Sequence, residues 1–283
     1  MRRHRTVRVP ASSANLGPGY DVLAAAIALH LQLDVEETGQ FAVLTDLQGV
    51  PTDRSNLCVR AFELLHPADG LTFSIRSEIP LTAGLGSSAA AIVAGLSAAD
   101  HMYELDAPLL ERGLELEGHP DNLAASLLGG FVVSAEDGAV RFDPPAELEG
   151  LIVIPPDQLS TAEARQVIPD EIPIEDAVHN TARVALLMLG LARSDLDLVA
   201  RGLADRIHQP RRESLYPRSM ELVRSAGEVG AIGATISGAG PAVMFWCHFE
   251  QTGGILGQLQ ERAPDCDVRR VQFSPAGADV RAL

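Results

Sequence analysis

The sequence predicts a protein of mixed helices and strands in two domains, and three observations carry that reading. At 283 residues the chain is long enough to bury two cores. Period-2 alternation, as in Leu29–Val35 and Leu71–Ser77, recurs between Ala-rich and amphipathic runs of helical spacing. The composition breaks at Asp143-Pro144-Pro145, after which Leu151-Ile152-Val153-Ile154 opens a second apolar stretch. We place the boundary there, giving domains 1–150 and 151–283.

Taken in order, Thr6–Pro10 predicts a short strand that runs into Ala11-Ser12-Ser13-Ala14-Asn15-Leu16-Gly17-Pro18-Gly19-Tyr20-Asp21. Gly-Pro-Gly forces a turn, and Asn15 and Asp21 beside it suit either an ordinary tight loop or a small polar ligand. In the strand Leu29–Val35, His30 falls on the polar face, where solvation accounts for it. Phe41–Leu44 predicts another strand, and Asn56–Leu65 a helix preceded by the capping-type run Asp53-Arg54-Ser55. Beyond the strand Leu71–Ser77, Ala89–Ala99 predicts a helix. A further helix starts at Asp106-Ala107-Pro108 and ends at Gly118, with Glu111 on it as a solvated charge or a ligand. His119-Pro120-Asp121-Asn122 opens a short helix closed by Gly129-Gly130. There His119 or Asp121 serves as a cap or as part of a site. Phe131–Ser134 returns as a strand. The second half predicts helices at Ile174–Leu191, Asp195–Ile207, Arg218–Val229 and Ile255–Arg262, and strands at Ala242–Trp246 and Val268–Phe273.

The stretch with most chemistry is Pro80-Leu81-Thr82-Ala83-Gly84-Leu85-Gly86-Ser87-Ser88. A glycine-rich loop feeding a helix offers unpaired backbone N–H groups and the positive end of the helix dipole, which together hold an anion. Ser87 and Ser88 can cap that helix, and a hydroxyl in its first turn can ligate a cation. Three readings compete: a capped buried helix, a dinucleotide fingerprint over Gly84-x-Gly86-x-x-Ala89, and a nucleotide-triphosphate loop. Against the second, Pro80 to Ala83 separate the strand from the first glycine. All 22 basic residues are arginine, so the Walker lysine, the protein-kinase lysine and Schiff-base chemistry are excluded. A phosphate here is held by backbone amides and a metal ion.

A net charge of −16 argues against nucleic acid and anionic membranes as partners, and requires local positive potential for an anionic substrate. Cys58, Cys247 and Cys266 are far apart, with neither a disulfide framework nor zinc spacing. The basic start Met1-Arg2-Arg3-His4-Arg5 lacks the apolar run of a signal peptide, and the apolar run Val22–Leu29 is too short to span a bilayer. A cytoplasmic protein is expected.

Three blocks occur in a fixed order: Pro10 to Asp21, Pro80 to Ala90, and Ile236-Ser237-Gly238-Ala239-Gly240-Pro241. Together they resemble the motifs of the GHMP small-molecule kinases, over essentially the whole chain. His119-Pro120-Asp121-Asn122, Thr161-x-x-x-Arg165 and Pro210-x-Arg212 make the chain most similar to the members that phosphorylate L-homoserine. The galactokinase signature is absent, and Tyr20 stands where phenylalanine is common. The resemblance implies an α+β fold, with an N-terminal domain like ribosomal protein S5, a C-terminal ferredoxin-like domain and the active site between them.

Carried over by position, the resemblance assigns Asn56 to the nucleotide base. Pro80, Gly84, Leu85, Gly86, Ser87 and Ser88 go to the ATP phosphates, and Ser88 and Glu111 to Mg²⁺. Asn15, Asp21, His119 and Asp121 fall where the substrate's amino and hydroxyl ends are held. Arg165 and Arg212 match the arginines for its carboxylate, with the neighbouring Arg211 one position away. Two guanidinium forks suit a carboxylate in an acidic protein. Asn122 stands where mevalonate-type members carry an aspartate, and an amide takes no proton. Direct attack of the hydroxyl on the γ-phosphorus is therefore expected, with Asn122 and Asp21 as the catalytic residues and Asp21 the remaining candidate for an orienting or proton-accepting role. A homodimer is the expected assembly. A sister kinase with another alcohol substrate, a ligand sensor that has lost its metal site and a dehydrogenase are the competing functions.

Overall fold

The computed structural model describes residues 3–156 and 161–282; Met1 and Arg2 of the basic N-terminal run lie outside them. The first half lays down β1 (His4–Ala14), β2 (Leu23–Glu37), β3 (Ala42–Thr45), helix α1 (Leu57–Glu63) and β4 (Leu71–Ser77). Helices α2 (Ser87–Tyr103), α3 (Leu109–Leu114) and α4 (Pro120–Leu128) follow, then the hairpin β5 (Phe131–Ala135) and β6 (Gly138–Phe142). The second half runs β7 (Leu148–Ile154), α5 (Thr161–Gln166), α6 (Ile174–Arg193), α7 (Leu196–Gly202), α8 (Pro217–Arg224), β8 (Gly233–Ile236), β9 (Val243–His248), α9 (Thr252–Arg262), β10 (Asp267–Val271) and β11 (Asp279–Ala282).

β2 organises the first sheet. Its second half alternates Leu31, Leu33 and Val35 buried against polar neighbours, and pairs antiparallel with β4. Its first half, Leu23–Ile27, is buried on both faces: Leu23, Ala25 and Ile27 point into the main core, and Ala24 packs with Ala14, Ala124 and Ala125 beneath α4. A strand covered on both sides reads as a continuous apolar run. The strand therefore starts well before the Leu29 expected from alternation. The sheet has seven strands in the order β11-β1-β2-β4-β3, with β5 on β2 and β6 on β5. Helices α1 to α4 supply the apolar side chains that cover it.

The second sheet is antiparallel, in the order β10-β7-β9-β8. Its chain sequence of strand, helices, two strands, helix and strand is the ferredoxin-like arrangement. Both of its faces are also covered. Val243, Phe245 and Cys247 of β9 join Leu151 and Val153 in a small core under α8 and α9. Met244, Trp246 and Ile152 face the other way, into the core of the first sheet. There Trp246 lies 6.0 Å from the Phe131 ring and 5.4 Å from that of Phe273. β7 runs across residue 150, from Leu148 to Ile154, and β11 leaves the second half to pair antiparallel with β1.

Candidate active site

The glycine loop between β4 and α2 is held open by the turn between β8 and β9. Gly84 has φ +79°, and a Cβ there would lie 2.4 Å from the Ser237 carbonyl oxygen. Ser237 Oγ donates to the Gly84 carbonyl at 2.8 Å, and the Ala242 N–H donates to that of Ala83 at 3.2 Å. Gly86, at φ +65°, takes the N-cap position of α2, with no side chain bonded to the cap. Ser87 and Ser88, expected as possible caps, instead occupy the first turn, so their hydroxyls are left for other partners. Their N–H groups are among those a helix start leaves unpaired. The backbone of Leu85 lines the site while its side chain is buried in the core.

This loop forms one wall of a cavity of about 280 Å³. Asn15, Asp21, Gly84, Leu85, Gly86, Ser87, Ser88, His119, Asp121, Asn122, Arg165 and Arg212, all singled out in the sequence, line it together. A second, apolar cavity of about 260 Å³ shares Thr82, Ser87 and Ser88 with it. Leu47, Val50, Pro51, Leu57 and Leu81 form its walls, and Asn56 sits among them. Asn56 is buried: its carbonyl caps α1 by accepting from the Cys58 N–H, and its amide donates to Pro51 O. A phosphate loop joined to an apolar slot has the shape of a nucleotide site.

Two expected residues fall elsewhere. Pro80 lines a separate hollow behind the loop, with Gln48, Pro155, Pro156 and Pro241. Glu111 is exposed on α3 and lines neither cavity. Glu117, by contrast, lies past the end of that helix and directly before the His119 turn. Glu117 Oε2 is buried without a hydrogen-bond partner, and its carboxyl interacts with the Ser88 hydroxyl. Burial raises its pKa, opposed by that bond and by Arg165. An orphaned carboxylate oxygen beside a serine hydroxyl at a phosphate loop fits Mg²⁺, which takes one or two protein oxygens and completes its shell with phosphates and water. Among the described residues no group of three or more His, Cys, Asp or Glu could hold a metal, so phosphate oxygens would be needed.

The opposite end of the cavity is crowded with charge. Arg165 Nη2 donates to Asp21 Oδ1 at 2.6 Å, and its Nη1 donates to Asp21 Oδ2 at 3.1 Å and Tyr20 OH at 3.0 Å. Arg212 is buried; it donates to the carbonyls of Ala164 at 3.0 Å and Gly238 at 2.8 Å, and bonds His208 Nδ1 at 3.0 Å. Those three acceptors are neutral and leave its charge in place. Both guanidiniums lie over the Tyr20 ring, at 5.4 Å for Arg165 and 5.7 Å for Arg212. Arg211 turns away, toward the carbonyls of Arg206 and Ile207 and to Asp176, so Arg212 is the arginine of the pair that lines the cavity.

Asn15 bridges the two halves: its amide donates to Gly238 O at 2.8 Å, and its carbonyl accepts from the Asp21 N–H at 3.0 Å. Asp121, in the first turn of α4, is almost fully buried, and burial pushes its carboxyl up to about 7, with Asp21 adding to the rise and the Asn122 N–H and Arg165 opposing it. His119, the N-cap of α4, has its pKa lowered by burial and by Arg165. Its Nδ1 stands 3.9 Å from Asp21, too far for a hydrogen bond. Asn122 accepts from Ser12 Oγ at 2.8 Å, which fixes its amide against the glycine loop. Ser12 and Tyr20 belong with Glu117 among the residues that sequence reasoning did not assign a role.

This fold and these two joined cavities define a kinase of small molecules. The model of the GHMP kinases N-terminal domain matches residues 56–130, and that of the GHMP kinases C-terminal domain matches 187–265. The chain belongs to the GHMP kinase family and is an ATP-dependent small-molecule kinase. Within the family it is similar to homoserine kinases. It is 38% identical to that of Moorella thermoacetica over 87% of this chain and 88% of the relative, and 41% identical to that of Deinococcus radiodurans over 88% and 85%. The crystal structure of homoserine kinase from Cytophaga hutchinsonii superposes with a TM-score of 0.87 at 29% identity, covering 98% of this chain and 97% of that one. Mevalonate kinase, at 17% identity and a TM-score of 0.73, shares the fold. Among the described residues no helix is long and apolar enough to cross a membrane.

Proposed function

We propose that the protein transfers the γ-phosphoryl group of ATP to the hydroxyl of L-homoserine, giving O-phospho-L-homoserine and ADP, as a cytoplasmic step of threonine biosynthesis. One observation carries the choice of substrate: two arginines and a cluster of carboxyls face the phosphate loop across a small cavity. A short zwitterion with a terminal hydroxyl matches that arrangement. Arg165 and Arg212 bind the carboxylate, Asp21 and Asp121 take the ammonium group, and the hydroxyl points toward the loop. The adenine occupies the apolar slot by Asn56, and the phosphates lie along the N–H groups of Gly84 to Ser88.

Ser88 and Glu117 would hold Mg²⁺. Bound there, the ion would neutralise phosphate charge and spare an acidic protein the need for a lysine. The chain's own residues do the positioning. Ser12 holds the carbonyl end of Asn122, leaving the NH₂ end for the substrate hydroxyl. The hydroxyl oxygen attacks the γ-phosphorus, the bond to the β,γ-bridging oxygen breaks, and the hydroxyl proton passes to a phosphoryl oxygen or to water. Orientation and charge stabilisation supply the rate, without a strong base.

A coupled ADP-release assay with MgATP tests this, comparing L-homoserine with mevalonate, galactose, L-serine and L-threonine. Turnover with L-homoserine alone, abolished by EDTA, is expected. Turnover only with another alcohol would overturn the substrate and leave the kinase.

A further inference from the structure

The amino-acid end of the cavity is closed on itself. Arg165 commits both terminal nitrogens to Asp21, and its Nε is buried without a partner, so the Nη1/Nη2 edge is already taken by a carboxylate. Asp21 in turn has both oxygens turned onto Arg165, so its charge is already compensated. These are residues that the proposed reaction sets against opposite charges of one substrate.

We propose that the Arg165–Asp21 pair is a charge latch, opened by exchange: the incoming carboxylate replaces Asp21 on Arg165 while the incoming ammonium replaces Arg165 on Asp21. This rests on the substrate reading above and adds its selectivity. The pair lies about one-third exposed on each side, with side-chain exposures of 30% and 32%, so it is weak enough to open. Leaving one partner uncompensated is the costly event. A ligand with a carboxylate alone strands the Asp21 charge beside the buried Asp121, whose carboxyl that charge already pushes up. A ligand with an ammonium alone strands Arg165 near Arg212, the two sharing the Tyr20 ring. Only a molecule carrying both charges opens the latch and satisfies both halves. The latch therefore rejects singly charged hydroxy compounds, in addition to any fit of shape.

The test is calorimetric binding to the full chain in the presence of a non-hydrolysable ATP analogue and Mg²⁺. The probes are L-homoserine, 4-hydroxybutanoate, which lacks the amine, and 3-amino-1-propanol, which lacks the carboxylate. Wild type should bind each singly charged probe about 100-fold more weakly than L-homoserine. Asp21→Asn frees Arg165, so it should bind L-homoserine at least about tenfold more weakly but 4-hydroxybutanoate about tenfold more tightly than wild type does. Asp21 has φ +58°, which asparagine and glycine tolerate, and Asp21→Gly should behave alike. Arg165→Gln should conversely tighten 3-amino-1-propanol. If wild type binds L-homoserine while neither variant pair gains its matching probe, the latch falls alone. If wild type does not bind L-homoserine, the substrate reading falls and the latch with it.

Discussion

Glu117 and Glu111 are both glutamates on or beside α3, and only their surroundings separate them. One has a buried oxygen with no partner next to Ser88; the other faces water. Glu117→Gln should lower kcat/KM by about 10²- to 10³-fold, whereas Glu111→Gln should stay within about twofold of wild type in the ADP-release assay. Asp121 gives a second test at this scale. Its carboxyl ionises at about 7 in the folded chain and near the ordinary 3.8 when unfolded. Between those values the folded state holds a proton that the unfolded state has lost, so stability falls as pH rises from about 4 to about 7. In urea titrations, Asp121→Asn should gain stability relative to wild type across that window and keep a constant difference above it. The sequence displayed both glutamates and Asp121, and none of this contrast. Burial and orphaned atoms depend on what packs against a residue, which a string of residues does not state. Proximity to the His119 turn was the one signal that favoured Glu117.

Among elements, the glycine turns after β4 and after β8 were legible because glycine at a left-handed φ is a local requirement. Their interlocking was not, since it depends on a contact across most of the chain. Gly84→Ala forces both a positive φ and a Cβ 2.4 Å from the Ser237 carbonyl. It should cost about 3 kcal/mol or more in chemical denaturation and impair nucleotide binding with it. β4 was legible to the residue because one face is polar, giving clean alternation. The first half of β2 was not, because its two covered faces erase the period. The short β6 and β11 carry little apolar signal of their own and exist through their partners, β5 and β1.

In the whole molecule the two sheets share one core, with Trp246 of β9 stacked on Phe131 of β5. Trp246 is the chain's single tryptophan, so its fluorescence reports that junction. Unfolding followed by fluorescence and by far-UV circular dichroism should give coincident urea midpoints; a separate early fluorescence transition would show the halves to be independent. The order of blocks pointed to two domains, but the return of β11 to β1 required the pairing itself. The clasp between Gly84 and Ser237 also bears on how such chains can be recombined. A hybrid joining residues 1–147 of this protein to the second half of a relative would cut across the clasp, since its two sides would come from different parents. The exchangeable unit is the trio 10–21, 80–88 and 236–241, and a graft that moves one without the others inherits a site whose walls were never fitted to each other.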